Sequence, residues 1–232
     1  MKKPNKSILV VGFNTRPLAY SLFKAGLEVF AVDFFGDLDL YPYVKDSIII
    51  TKEIDMGYEQ IKENYKFYLA KYTIELLGKY PNINYLLIGS GLDDAFRERE
   101  MILDYISKNN YKIINLNNEV EVIRKARDIG NIYQFLQSEG FKFPYTIPLK
   151  GFKKKQLEIS YPTILKKKSS SGGTNVYKVN NKEQFELKVN LIKEGDSVED
   201  WLIQEYIDGI PISCTIVGNG KECQIISINK QI

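Results

Sequence analysis

Histidine is absent from all 232 residues of this chain. That absence removes Ser-His-Asp and Cys-His nucleophilic machinery, and histidine-ligated zinc, from the chemistry open to it. Cysteine is nearly as scarce, with Cys214 and Cys223 alone. Two thiols without a secretory leader read as reduced residues of a cytoplasmic protein, and both are expected to serve as small buried hydrophobes. No run of about 20 apolar residues occurs, as a membrane span would need. The basic start, Met1 to Lys6, is followed only by the short apolar run Ile8-Leu9-Val10-Val11, so neither a signal peptide nor a membrane partner is expected. Charge of one sign is also thin: 32 Lys+Arg stand against 29 Asp+Glu, a net charge of +3. The one dense basic cluster is Lys166-Lys167-Lys168, with Lys153-Lys154-Lys155 upstream. That footprint is too small to expect a nucleic-acid partner.

What is present describes a globular α/β protein. The composition is 44% hydrophobic and 26% charged, and a chain of this length can bury roughly 70% of its unfolded surface without disulfide or metal. β-Branched apolar runs at 7–13, 27–33, 47–51, 85–89 and 112–116 read as strands. Helical patterns at 18–24, 58–80 and 96–108 lie between them. Such alternation implies a mostly parallel sheet covered on both faces, with ligands beyond the carboxyl ends of its strands. From about Asn117 the texture changes. A charged helical stretch, 119–140, falls in two pieces around Gly130. It is followed by strands at 163–168, 175–179, 201–207, 212–217 and 222–228 and one helix at 182–192. Gly218-Asn219-Gly220 is a hairpin signal. A boundary near Asn117 is therefore expected, giving units 1–117 and 118–232.

The segment Pro162-Thr163-Ile164-Leu165-Lys166 reads as a strand that delivers a lysine. The residues Ser169, Ser170, Ser171, Gly172, Gly173 and Thr174 follow as a loop of small side chains. Backbone N–H groups of such a loop can approach phosphate oxygens, hydroxyls add donors, and the lysine supplies a point charge. The order is not that of a Walker P-loop, and no helix follows the glycines directly. A solvated hairpin is the alternative reading of this segment taken alone. Further on, Leu202-Ile203-Gln204-Glu205-Tyr206-Ile207-Asp208-Gly209 is an apolar strand that turns polar. It offers apolar faces and edge hydrogen bonds of the kind an adenine ring needs. Residues 128–144 form a third piece, marked by Leu136, Gly140 and Pro144.

These three pieces, in this order and spacing, resemble the ATP-grasp superfamily, and within it the predicted ATP-dependent carboligases of archaea and bacteria. The runs from Ile8 to Ala19, Ala31 to Asp39 and Ser227 to Gln231 share the likeness, which covers essentially the whole chain. The resemblance implies an N-terminal Rossmann-like, pre-ATP-grasp domain followed by an incomplete α+β ATP-grasp domain, whose small nucleotide-binding subdomain spans about 145–207. It implies that Lys166 contacts ATP phosphates and that Ser169 to Thr174 close over them. It likewise implies that Gln204, Glu205, Tyr206 and Ile207 hold adenine, with Asp208 near the ribose. Family members activate a carboxylate as an acyl phosphate for attack by an amine, with magnesium screening charge. Carbon dioxide activation is a variant of the same scheme.

The sequence departs from the family pattern in three places. Ile129 stands where the first ATP-contacting lysine is expected, leaving Lys125 or Arg127 as substitutes. Pro211 stands where an acidic ribose ligand often lies. The magnesium carboxylates are expected beyond Ile232, so no metal ligand is assigned within the chain, and a fragment, a truncated product or a degenerate member is expected. No catalytic residue is assigned. The leading expectation is an ATP-dependent carboxylate–amine ligase, cytoplasmic, acting on small molecules, with homodimerisation open. A non-catalytic ATP-binding or regulatory module is the alternative. An NAD(P)-dependent oxidoreductase is the third reading, suggested by the loop 12–17 and Asp33, although the glycine fingerprint is missing. Arg16, Ser90 and Asp93 are candidate contacts to the acceptor substrate. Arg97-Glu98-Arg99-Glu100 reads as a solvated helix face, and the 16 tyrosines as packing residues.

Overall fold

The computed structural model describes residues 6–152, 159–168 and 174–230. The chain divides into two compact units, Met1–Ile132 and Tyr133–Ile232. The expected boundary near Asn117 lies inside the first of these. No helix among the described residues is long and apolar enough to cross a membrane.

The first unit alternates strand and helix. In chain order it runs β1 (Ser7–Gly12), α1 (Arg16–Lys24), β2 (Glu28–Asp33), β3 (Asp46–Ile49), α2 (Ile50–Glu53), α3 (Tyr58–Glu63), α4 (Tyr65–Lys79), β4 (Tyr85–Ile88), α5 (Phe96–Lys108), β5 (Ile114–Asn115) and α6 (Val120–Arg127). Its five strands lie in the order β3-β2-β1-β4-β5, and every pairing is parallel. Every residue of the central strand β1 is buried, because helices cover both of its faces. Leu9 and Val11 pack with Phe30 and Val32 against Leu69 and Leu76 of α4 and Ile102 of α5. Ile8 and Val10 pack with Val29 and Ala31 against Ala19 of α1. The crossovers leave β1 in opposite directions, so the loops after β1 and β4 emerge side by side at the switch point of the sheet.

Two expectations for this unit change. The run 47–51 does not continue as a strand, since it turns after Ile49 into the single turn of α2 and buries Ile50 as a helical residue. The stretch 58–80 breaks at Asn64 into α3 and α4.

The second unit is antiparallel. The helix α7 (Ile129–Ser138) ends within it. There follow β6 (Thr146–Pro148), β7 (Thr163–Lys167), β8 (Val176–Val179), α8 (Lys182–Gly195), β9 (Trp201–Glu205), β10 (Ile212–Gly218) and β11 (Cys223–Lys230). Four strands form a sheet in the order β6-β9-β7-β8. One face, with Leu165, Val179, Trp201 and Ile203, is sealed by Phe185 and Ile192 of α8. Asn181 caps that helix, its side chain accepting from Gln184 N at 2.9 Å.

The strands β10 and β11 make a separate hairpin, in which the Asn219 side chain accepts from the N–H groups of Lys221 and Glu222 and Gly220 takes φ +87°. Register puts Ile212, Cys214, Ile216, Cys223, Ile225 and Ile228 on one face, with Lys230 at its end opposite Ile212. Ser213, Thr215, Val217, Gln224, Ser227 and Asn229 share the other. The apolar face is exposed throughout. The expectation that both cysteines are buried is therefore corrected: Cys214 and Cys223 are free, exposed thiols, because their ribbon has no layer over its apolar side among the described residues.

Candidate functional site

Strand alternation divides the small sheet of the second unit into two faces with different work to do. Leu165 pairs with Ile203, and Ile203 with Ile147, so these three share the α8 side. Ile164 pairs with Gln204 and Lys178, Lys166 with Leu202 and Val176, and Gln204 with Thr146. Those residues share the opposite face.

The neighbouring lysines of β7 are separated by this geometry. Lys167 turns to the α8 side and meets Asp196, just past that helix, at 2.6 Å. Asp196 sits below the ordinary carboxylate range because Lys167 donates to it, with help from Ser197 N–H. Lys166 projects from the other face, half-buried, and among the described residues no carboxylate approaches it. A desolvated ammonium without an anion beside it favours an anionic ligand, because the cost of partial burial is then offset by a charge-assisted hydrogen bond. Ser169 to Gly173 follow β7 in the sequence and lie outside the described residues. Thr174, the last of the expected loop residues, is exposed and enters β8.

Gln204 is the best-anchored of the hinge residues. Its Nε2 donates to Thr146 Oγ1 at 2.8 Å and, in a short contact, to the hydroxyl of Tyr133 on α7. The Tyr133 ring stacks on Phe143 with centroids 4.7 Å apart. Thr163 Oγ1 donates to the Gln204 carbonyl at 2.8 Å, so side chain and backbone are both held. Glu205 faces the α8 side and is used structurally, its carboxylate accepting from Tyr145 N at 3.1 Å. Tyr206 returns to the Lys166 side, where Lys178 Nζ lies 3.8 Å from its ring centroid and Asp208 Oδ1 accepts from its hydroxyl at 3.4 Å. Ile207 is exposed beyond the end of β9. One face of one sheet thus brings Lys166, Gln204 and Tyr206 together, with Ile164 and Leu202 as apolar ground. These groups fit a nucleotide: a cation for phosphate, an amide for a base edge, and apolar or aromatic surface for a ring. A cleft of about 420 Å³ opens beside Ile147, Tyr161, Thr163, Ile203 and Glu205 of the opposite face, and Tyr206 at the end of β9 borders it as well. Among the described residues no group of three or more carboxylates or thiols gathers as a metal site.

The candidates of the first unit are placed differently. Phe13 N donates to Ser90 O at 2.8 Å, so the loops after β1 and β4 touch at the carboxyl end of the sheet. A Cβ on Gly12 would stand 3.0 Å from Ser90 O, and one on Gly91 would stand 3.1 Å from Phe13 Cβ. The glycines there answer the approach of one loop to the other. Arg16 Nε is engaged by Asp39 at 2.6 Å, and Asp93 accepts from Gly91 N at 3.2 Å. Arg99 is not part of a solvated face: it is 6% exposed and its Nε donates to Leu92 O at 2.6 Å. Asp33 is likewise internal, accepting from Thr15 and Gly36.

A parallel five-stranded sheet is thus joined in sequence to an antiparallel sheet backed by a helix, with Lys166 on the face away from that helix. Residues 126–232 match the model of the ATP-grasp domain family. An uncharacterized protein of Methanocaldococcus jannaschii is 29% identical over 231 residues, covering 98% of this chain and 54% of the relative. Among solved structures, the L-amino acid ligase from Bacillus licheniformis superposes with a TM-score of 0.63 at 16% identity, over 99% of this chain and 51% of that one. The N5-carboxyaminoimidazole synthetase from Staphylococcus aureus, complexed with ADP, gives a TM-score of 0.61 at 16% identity, over 99% and 55%. D-alanine–D-alanine ligase from Bacillus anthracis, complexed with ATP, gives 0.53 at 13% identity, over 99% and 72%. The chain spans about half the length of the first two kinds of relative.

Sequence reasoning missed Tyr133, Thr146 and Lys178 as neighbours of the hinge. Tyr133 lies 71 positions before Gln204, and no local pattern links the two. The strand β6, which carries Thr146, went unread because Pro148 breaks its pattern.

Proposed function

We propose that this chain binds ATP across the Lys166 face of its small sheet and serves an ATP-dependent carboxylate–amine ligase. The carrying observation is the contrast between the two lysines, Lys167 paired with Asp196 and Lys166 without a carboxylate among the described residues. In this reading Lys166 holds phosphate oxygens together with the loop from Ser169 to Thr174. Gln204 and Tyr206 line the base with their side chains, Glu205 and Ile207 with their backbone, and Asp208 lies beside the sugar. Bound ATP would supply the phosphoryl group that converts a carboxylate into an acyl phosphate, which an amine then displaces with release of phosphate. The chain's own part is to position: the sheet fixes the cation and the base edge on one surface, so that binding energy goes into orientation. Arg16, Ser90 and Asp93 remain proposed acceptor contacts, and a cytoplasmic setting and homodimerisation remain proposals too. The names of the structural relatives, two of them titled as nucleotide complexes and two as ligases, support the reading without specifying acid or amine. Magnesium accompanies ATP in this proposal, and no described residue is assigned to it.

A non-catalytic nucleotide-binding module is the second reading, favoured by Ile129. That residue opens α7 with an apolar side chain where the family likeness calls for a lysine.

Calorimetric titration with ATP tests the assignment, with Lys166→Ala beside Lys167→Ala. Lys166→Ala should weaken binding by about 1.5–3 kcal/mol, the range for a hydrogen bond to a charged group. Lys167→Ala should leave affinity where it is. Equal losses in the two variants, or no saturable ATP binding by the parent chain, would refute the face assignment. Formation of ADP on addition of a carboxylate and an amine would separate ligase from module.

A further inference from the structure

The hydrogen bonds around the Gln204 side chain set which way its amide points. Thr146 has one hydroxyl proton, and the Pro144 carbonyl at 2.8 Å takes it in preference to the Tyr133 hydroxyl at 3.5 Å. Its oxygen can therefore only accept from Gln204, 2.8 Å away, which requires the amide nitrogen on that side. The second N–H of the same amide goes to the Tyr133 hydroxyl. Both donors of Gln204 are thereby consumed, and no described residue donates to its Oε1. The backbone allows little adjustment, because Gln204 pairs with Thr146 on β6 and Ile164 on β7. The ring of Tyr133 is itself held against Phe143. What Gln204 offers on the Lys166 face is an acceptor in one fixed sense.

We propose that Tyr133 and Thr146 are positioning residues that lock the Gln204 amide with its oxygen available to the base, so that the site takes a 6-amino purine and rejects a 6-oxo purine. The inference rests on the nucleotide reading of this face and deepens it. A 6-amino group donates a hydrogen bond to the Gln204 oxygen. A 6-oxo group would set acceptor against acceptor, and a buried polar group left unpaired in this way is what makes such discrimination strong. If the amide were free to turn over, it could serve either base and the preference would fade.

ATP and inosine triphosphate, which differ at this position of the purine, are the probes for titration of the 232-residue chain. The parent chain should bind ATP at least about tenfold more tightly than inosine triphosphate, the equivalent of about 1.4 kcal/mol. Tyr133→Phe and Thr146→Val should each lower that ratio several-fold, while Thr146→Ser, which keeps the hydroxyl, should retain it. Gln204→Glu supplies two acceptor oxygens and no wrong orientation. In that background Tyr133→Phe should no longer move the ratio, whereas a merely structural role for Tyr133 would damage both backgrounds alike. Such equal damage overturns the proposal, as does a ratio near one, or a ratio indifferent to Tyr133→Phe, in a chain whose ATP binding Lys166→Ala still weakens. Failure of the parent chain to bind either nucleotide overturns the nucleotide reading, and this inference falls with it.

Discussion

Replacing Asp33 should cost the first unit much of its stability, and the reason lies in three hydrogen bonds. Asp33 closes β2 and is 2% exposed. Its Oδ2 accepts from Thr15 N at 2.6 Å and from Thr15 Oγ1 at 2.8 Å, and its Oδ1 accepts from Gly36 N at 2.7 Å. Thr15 is completely buried just ahead of α1, and Gly36 holds φ +68° with no room for a side chain beside Ile49. Asp33 therefore ties the start of α1 and the turn after β2 to the sheet. Asp33→Ala orphans two buried backbone donors, each worth about 1–3 kcal/mol when left unpaired. A loss of roughly 2–6 kcal/mol is expected, a large share of the about 5–15 kcal/mol that keeps a domain folded. Asp33→Asn retains a carbonyl acceptor for one side only and should cost roughly half as much. Urea unfolding followed by far-UV circular dichroism reads the change, and fluorescence of Trp201, the single tryptophan, reads the second unit separately. An Asp33→Ala chain within about 0.5 kcal/mol of the parent, the ordinary range for surface changes, would refute the reasoning. The same three bonds explain why Asp33 is not available to a dinucleotide ribose.

Leu165, fully buried between β7 and α8, should cost about 2–5 kcal/mol on truncation to alanine through lost transfer energy and the cavity left behind. A shift in the Trp201 fluorescence midpoint measures it, and a cost below about 1 kcal/mol would mean that the α8 side of the sheet is not the core of that unit. Acid should act on the first unit through Asp46. Burial pushes its carboxyl up, but Lys79 at 2.8 Å, Tyr80 at 2.7 Å and Ser47 N–H outweigh that and bring it below the ordinary carboxylate range. A folded pKa below the unfolded value of about 3.9 gives stability that is present above that pH and lost as pH falls through the folded value. Lys79→Met should flatten the loss of urea midpoint below about pH 4. Identical acid slopes in the two proteins would rule Asp46 out as its source.

The fold was readable where one physical signal dominates. The uninterrupted apolar run Ile8 to Val11 announced a strand buried on both faces, and the helix Phe96–Lys108 appeared with the expected bounds. Signals failed where two compete. The β-branched run 47–51 reads as strand, yet burying Ile50 in the turn of α2 gains more than another pair of ladder bonds. Arg99 reads as solvated by type, and the Leu92 carbonyl and the Asp93 carboxylate next to it in space make burial tolerable. In the candidate site, Lys166 and Gln204 were legible from local order. That Lys166 and Lys167 part company was implicit in strand alternation, but the partner Asp196 is 29 positions away. The Gln204 lock is long-range and was invisible without coordinates.

The hairpin of β10 and β11 carries a consequence for the time scale on which this chain opens. Its ladder joins residues close in sequence, and no helix seals its apolar side among the described residues. A two-stranded ribbon of this kind is marginal on its own in water. Its amide protons should therefore exchange with solvent through openings confined to the ribbon, whereas those of β1, enclosed by layers on both sides, are released only when the whole first unit opens. The chain thus holds within one polypeptide a slowly exchanging sheet and a ribbon that trades its hydrogen bonds with water continually, and it is the ribbon that a covering layer would slow.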